Sequence, residues 1–408
     1  MTPSTDAGFP KLRPIDAHPI RQGRRAGILL RDPLQLSDKT VIVPQQLAPL
    51  LALCDGTRDN EGLRAALAVR FGVRVRADLV AQVLAALDEA LLLEGDRFAQ
   101  ARDQALAEFR EAPFRRPVGA GVSYPSQASG LGQLLDGYLD AAQEVKLDSA
   151  EGRGLVTPHI DYQRGGVVYA RVWKRAAEMI KAAQLVVVLG TDHLGPDAQI
   201  TLTRQSYATP FGVLPTAQDV VDALEQEMGA ERAFAEELHH RSEHSIELAA
   251  VWLQHIRGGQ PCELVPILCG SFDKFLPSST EPERDPEISS LVRVLRETVS
   301  TRRAIVVAAG DLSHVGPAFG GRPVDFVARA HVRAFDDQLI QRVCEGDPQG
   351  FLAVNLREGS GNNVCGVSVI YLALQTLSPV RGEQVAYDLC PADERGTSLV
   401  SICGIVLK

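Results

Sequence analysis

Three stretches of this chain are apolar almost without interruption: LVVVLG at 185–190, AIVVAAG at 304–310 and, apart from its ends, ELVPILCG at 263–270. A strand with one face in water alternates apolar and polar residues. A continuous run must be covered on both faces, as in a parallel sheet between helices. Helix-like stretches lie where such layers need them, at 217–229, 243–256, 286–300 and 326–343. The expectation is a three-layer α/β domain with a mainly parallel central sheet.

Residues 1–98 read as a separate, smaller unit. Strand-like AGILLRD and KTVIVP are followed by three helical segments, QQLAPLLALCDGT, NEGLRAALAVRFG and ADLVAQVLAALDEALLLEGDRF. Leu79, Val80, Val83, Leu84, Leu87, Leu91 and Leu92 space out as one buried face of the third. Short strands, short helices and a closing hairpin suggest a small winged-helix-like α+β domain. The charged, Ala-rich stretch at 99–114 reads as a linker, and 115–408 as the α/β domain.

A net charge of -9 argues against a nucleic-acid partner, which needs a basic surface. No apolar run approaches the ~20 residues that span a bilayer, so no membrane is expected. The N-terminus has no signal pattern. Seven scattered cysteines without a C-x-x-C pair suit free, mostly buried thiols in a reducing compartment. The expected location is cytoplasmic, and oligomeric state is left open.

In parallel sheets, sites form at the carboxyl ends of strands. Three apolar runs end in small residues and then in candidate ligands: His159 in GLVTPHIDY, Asp192 and His193 in VVVLGTDH, Asp311 and His314 in IVVAAGDLSH. Cys365, in NNVCGVS, precedes a helix-like apolar run, where a thiolate is favoured. Two imidazoles and a thiolate suit iron, copper or zinc rather than magnesium or calcium. In HHRSEHSIEL, Ser242 is placed to cap a helix, with Glu243 and Glu247 near its positive end. His240 and His244 would share a helical face, and His239 and His240 are expected to face solvent.

In this order, RPVGAGVSYP, TPHIDYQRGGVVYA, LGTDH, ATPFG, SEHSIEL, LVPILCG, AAGDLSHVG, NNVCG and TSLVSICGIVL resemble the Memo family, also called AmmeMemoRadiSam system protein B. Its fold is similar to that of LigB-type extradiol dioxygenases. The resemblance implies metal ligands at His159, His193 and Cys365, and iron(II) first, with copper or zinc next. It implies acid/base or pocket roles for His244, His314, Asp311 and Glu243. The chain departs from the family pattern at Asp161, Asp192 and Leu194, and after Cys365–Gly366, where Val367 and Val369 stand in place of the family's Arg and Pro. Each aspartate would either add a carboxylate near the metal or orient an imidazole. The run LALCDGTRDNEGLRAALAVRFG…DLVAQVLAALDEALLLEGD resembles a PqqD-like domain, which implies peptide binding by strand addition.

The functional expectation is redox or dioxygenase-like chemistry at a mononuclear His/His/Cys site, acting with radical-SAM and AMMECR1-like proteins. The alternative is a non-catalytic adaptor binding a peptide or partner in the same cleft, and the third is a metal-assisted hydrolase.

Overall fold

The computed structural model describes residues 9–22, 25–142, 152–260, 262–275 and 281–408. The chain separates into two compact units, Met1–Glu111 and Ala112–Lys408.

In the smaller unit, strands Asp16–Gln22, Arg25–Arg31 and Val41–Pro44 form an antiparallel meander. Helices Ala48–Leu53, Asn60–Phe71 and Ala77–Glu89 contribute Leu50, Leu53, Leu63, Leu67, Val80, Leu84 and Leu87 to its core. The second helix is capped by Asp59, which accepts from the Gly62 N–H, and stops at Gly72 with φ 68°. The first strand escapes the sequence reading because Pro19 interrupts it; proline is tolerated in an edge strand. The third helix ends at Glu89, short of its predicted extent, and Leu79 lies off its buried face at 37% exposure. The stretch read as a linker is mostly helix, Asp96–Glu111, with Ala105 and Phe109 buried.

The larger unit is built on one eight-stranded sheet. Its strands are β1 (Gly154–Thr157), β2 (Leu185–Thr191), β3 (Ile200–Leu202), β4 (Glu263–Cys269), β5 (Ala304–Ala309), β6 (His314–Val315), β7 (Gly382–Pro391) and β8 (Leu399–Leu407). They lie in the order β6-β8-β1-β5-β2-β4-β3, with β7 paired to β8. The central four, β1, β5, β2 and β4, are mutually parallel. The outer strands are antiparallel to their neighbours.

The continuous apolar runs supply two cores at once. Leu185, Val187, Leu189, Val265, Ile267, Val306 and Ala308 face helices α3 (Pro286–Thr301) and α4 (Val367–Leu377). Val186, Val188, Ile305, Val307 and Ala309 face helices α1 (Tyr162–Arg175) and α2 (Ser245–Ile256). This is a three-layer α/β architecture. Each large apolar side chain buried this way contributes about 1.5–3 kcal/mol. An aspartate at Val187 would bury an unpaired charge between layers, so the runs cannot alternate. No described helix is long and apolar enough to cross a membrane.

Register then fixes where chemistry can sit. Ala309 pairs with Thr157 on one side and with Gly190 on the other. The carboxyl ends of three adjacent strands are therefore level, and the residues just beyond them converge.

Candidate metal centre

His159 leaves the end of β1 fully enclosed. Its backbone N–H donates to Asp311 Oδ1 at 2.9 Å, and its Nδ1 lies 3.0 Å from the Ala309 carbonyl. A carbonyl only accepts, so Nδ1 carries a proton and Nε2 is the nitrogen turned to the cleft. That Nε2 is 3.3 Å from Cys365 Sγ. His193 follows the same plan beyond β2. Its Nδ1 lies 2.9 Å from Glu243 Oε2, which leaves its Nε2 for the cleft.

Cys365 reaches the site through a backbone contact. The Gly366 N–H donates to the Asp311 carbonyl at 2.9 Å. A Cβ on Gly310 would lie 2.6 Å from Gly366 Cα, and one on Gly366 would lie 2.6 Å from Asp311 O. Two glycines thus let the chain ahead of α4 pack directly on the end of β5. Donor atoms of His159, His193 and Cys365 all fall within 4.8 Å of one another. With metal–nitrogen bonds of ~2.0–2.1 Å and metal–sulfur bonds of ~2.3 Å, a tetrahedral site spaces N and S by ~3.6 Å. The 3.3 Å His159–Cys365 approach fits that edge, and the donor set fits a transition metal.

Two further sets adjoin it: His193 with Glu243 and His244, and Asp311 with His314 and Cys365. The His244 ring lies nearly parallel to His193, with centroids 5.1 Å apart, and edge-on to His159 at 5.6 Å. His314 Nδ1 lies 3.1 Å from the Leu312 carbonyl, so its Nε2 is also free.

The charges are coupled. Burial alone would raise the Cys365 thiol, but His159 and His314 outweigh it and bring it to about 5. Burial would lower His159, but the Cys365 thiolate and Asp311 raise it to about 9. Burial opposes the Glu243 carboxylate as well, yet His193 holds it well below the usual range. His244 is lowered to about 4, first by burial, then by His159 and His193, against the pull of Glu243.

Several expectations need correction. His239 and His240 are buried rather than solvent-facing, at 5% and 0% exposure. His240 bonds to the Tyr207 hydroxyl and the Thr201 carbonyl. Helix α2 starts at Ser245, so His240 and His244 share no helical face. Its first amides are met by Glu243, not Ser242: Oε1 accepts from His244 N at 2.7 Å and from Ser245 N at 2.9 Å. Asp161 turns from the cleft to cap α1, accepting from Arg164 N and pairing with the Arg164 side chain. Asp192 also turns away, accepting from the amides of Leu194 and Gly195 and from His239 Nδ1.

Arg115 carries no signal in the local sequence. It is fully buried, paired with Glu247, and donates to the carbonyls of His240 and Glu243. Glu247 also takes the amides of Val118 and Gly119 and the Tyr124 hydroxyl. Nothing local in FRRPVGAG signals this partnership, which spans more than a hundred residues.

A profile of the Memo-like protein family matches residues 115–406. A MEMO1 family protein of Aquifex aeolicus is 25% identical over 312 residues, covering 76% of this chain and 77% of the relative. One from Methanosarcina acetivorans is 27% identical over 271 residues, covering 66% and 89%. One from Thermus thermophilus is 26% identical over 322 residues, covering 78% and 90%.

Proposed function

This chain belongs to the Memo-like family, and from that premise we propose that His159, His193 and Cys365 hold one transition-metal ion, iron(II) by preference, for redox or dioxygenase-like chemistry. One observation carries the proposal. Both imidazoles have Nδ1 engaged by a fixed acceptor, so both present Nε2 beside the Cys365 thiolate. Ligand histidines are oriented this way because the outer hydrogen bond sets tautomer and ring angle. When bound, the ion supplies Lewis-acid and one-electron redox chemistry. Copper(I) and zinc suit the same donors.

The remaining residues orient groups and move protons. Asp311 holds the His159 backbone through Oδ1. Glu243 fixes His193. His244, half-exposed with Nδ1 facing Glu243 at 3.1 Å, presents its other ring nitrogen to accept a proton or a hydrogen bond from substrate. His314 offers a second proton site at Nε2. The test is reconstitution with iron(II) without oxygen. A thiolate-to-metal absorption band should appear in the wild type and be absent from Cys365→Ser; binding with no such band would contradict the assignment.

A second reading concerns the smaller unit. Its meander has two edge strands, Asp16–Gln22 and Val41–Pro44. We propose that one takes an extended peptide by strand addition, as the PqqD-like resemblance implies, in concert with radical-SAM and AMMECR1-like partners. Titration with candidate precursor peptides, read by amide shifts at these strands, tests it; no shift at either edge contradicts it.

A further inference from the structure

Two carboxylate–histidine pairs cross between the same two segments. The segment after β2 gives Asp192 and His193, and the segment before α2 gives His239 and Glu243. His193 pairs with Glu243 at 2.9 Å, and Asp192 pairs with His239 Nδ1 at 2.9 Å, so each segment supplies one acid and one imidazole. Asp192 also accepts from the amides of Leu194, at 3.1 Å, and Gly195, at 2.9 Å, closing the turn that carries His193. His239 is held from its other nitrogen by Glu236 at 3.3 Å. Asp192 and His239 are 4% and 5% exposed, so little water competes for either.

We propose that Asp192 and His239 are positioning residues for the metal centre: their pair fixes the turn that aims His193 Nε2 at the site. The inference rests on the metal-binding reading of His159, His193 and Cys365. An imidazole bonded only to Glu243 can still swing with its turn. The second pair removes that freedom, because the acceptor that closes the turn is itself anchored to the segment carrying Glu243. Losing such an outer partner weakens metal binding by roughly 10–100-fold.

The experiment is cobalt(II) titration of the full chain, read by visible ligand-field bands, beside thermal unfolding. His239→Leu keeps bulk and removes the donor, and should bind cobalt roughly 10–100-fold more weakly with altered bands. His239→Asn places an amide donor where Nδ1 was and should restore the wild-type spectrum. Asp192→Asn, which keeps an oxygen for the turn amides, should weaken binding as His239→Leu does and serves if that variant does not fold. Tyr207→Phe removes the 2.6 Å bond to His240 in the same segment and should lower stability without moving the bands. Wild-type affinity and bands in His239→Leu or Asp192→Asn would overturn the inference while leaving the metal reading intact. A Tyr207→Phe change as large as that of His239→Leu would reduce it to general destabilisation and also overturn it. A wild-type chain that binds no cobalt would overturn the metal reading, and this inference with it.

Discussion

Glu243 Oε2 lies 2.9 Å from His193 Nδ1, while its Oε1 accepts the backbone N–H groups of His244 and Ser245. One carboxylate therefore aims an imidazole with one oxygen and opens helix α2 with the other. The site and the layer beneath it share that residue.

Glu243→Gln is expected to weaken metal binding by roughly 10–100-fold with the fold retained. A cobalt or iron(II) titration checks it. Unchanged affinity would mean that the pair does not orient His193.

The same residue gives a pH dependence in the metal-free protein. The Glu243 carboxyl is held well below its ordinary value by His193 against burial. Its contribution is therefore present above the unfolded-state value of ~4.3 and is lost as pH falls through its lower folded value. His193, raised well above its own ordinary value against burial by Glu243, keeps the pair intact through neutrality. Urea unfolding should show a stability gap between wild type and Glu243→Gln that is widest between about pH 4.5 and 6.5, where both groups are charged in the unfolded chain too, and that narrows below this window as Glu243 protonates and above it as the unfolded His193 loses its proton. A gap constant across this range would contradict the account.

Cys365 should be the first thiol alkylated in metal-free protein at mildly acidic pH. It is lowered to about 5, whereas burial raises Cys54 to about 11 and Cys390 to about 12. Peptide mapping after brief iodoacetamide treatment reads this out, and bound metal should protect it. Labelling of another cysteine first would contradict the assignment.

Arg115→Met should cost about 3–5 kcal/mol, because it leaves Glu247 buried without its cation. Arg115→Met with Glu247→Gln should recover part of that loss. Denaturant unfolding of both decides, and a small loss in the single variant would show that the charge relaxes to water.

Gly366→Ala tests how Cys365 is delivered. The added Cβ would meet the Asp311 carbonyl at 2.6 Å, so the segment must retreat from the end of β5. Metal affinity should fall while unfolding of the metal-free chain changes modestly. Full retention of affinity would show that the Gly310–Gly366 contact is dispensable.

The sheet was legible because covering both faces leaves a continuous apolar signature, as in LVVVLG and AIVVAAG. The strand-end residues were legible for the same reason: once those runs are parallel strands, His159, His193, Asp311 and His314 must lie at one edge. Cys365 owes its place to a Gly310–Gly366 contact across more than fifty residues, which no local pattern announces, and the family resemblance supplied it. The inward turn of His239 and His240 was misread because histidine is at home both in water and in a satisfied core, and their partners Asp192, Tyr207 and Thr201 are remote in sequence. Helix α2 begins two residues later than the sequence pattern predicts because Glu243 caps from outside the helix. Sequence alone allows Asp161 and Asp192 either a ligand or an orienting role, and their contacts put both outside the donor set.

The central claim is that two imidazoles and one thiolate hold a single transition-metal ion. Elemental analysis of protein prepared without oxygen and reconstituted with iron(II) tests it most directly. The account predicts about one ion per chain in the wild type, and substantial loss in Cys365→Ser with the fold preserved. A well-folded wild type that retains no transition metal, or a Cys365→Ser chain that retains it fully, would contradict it.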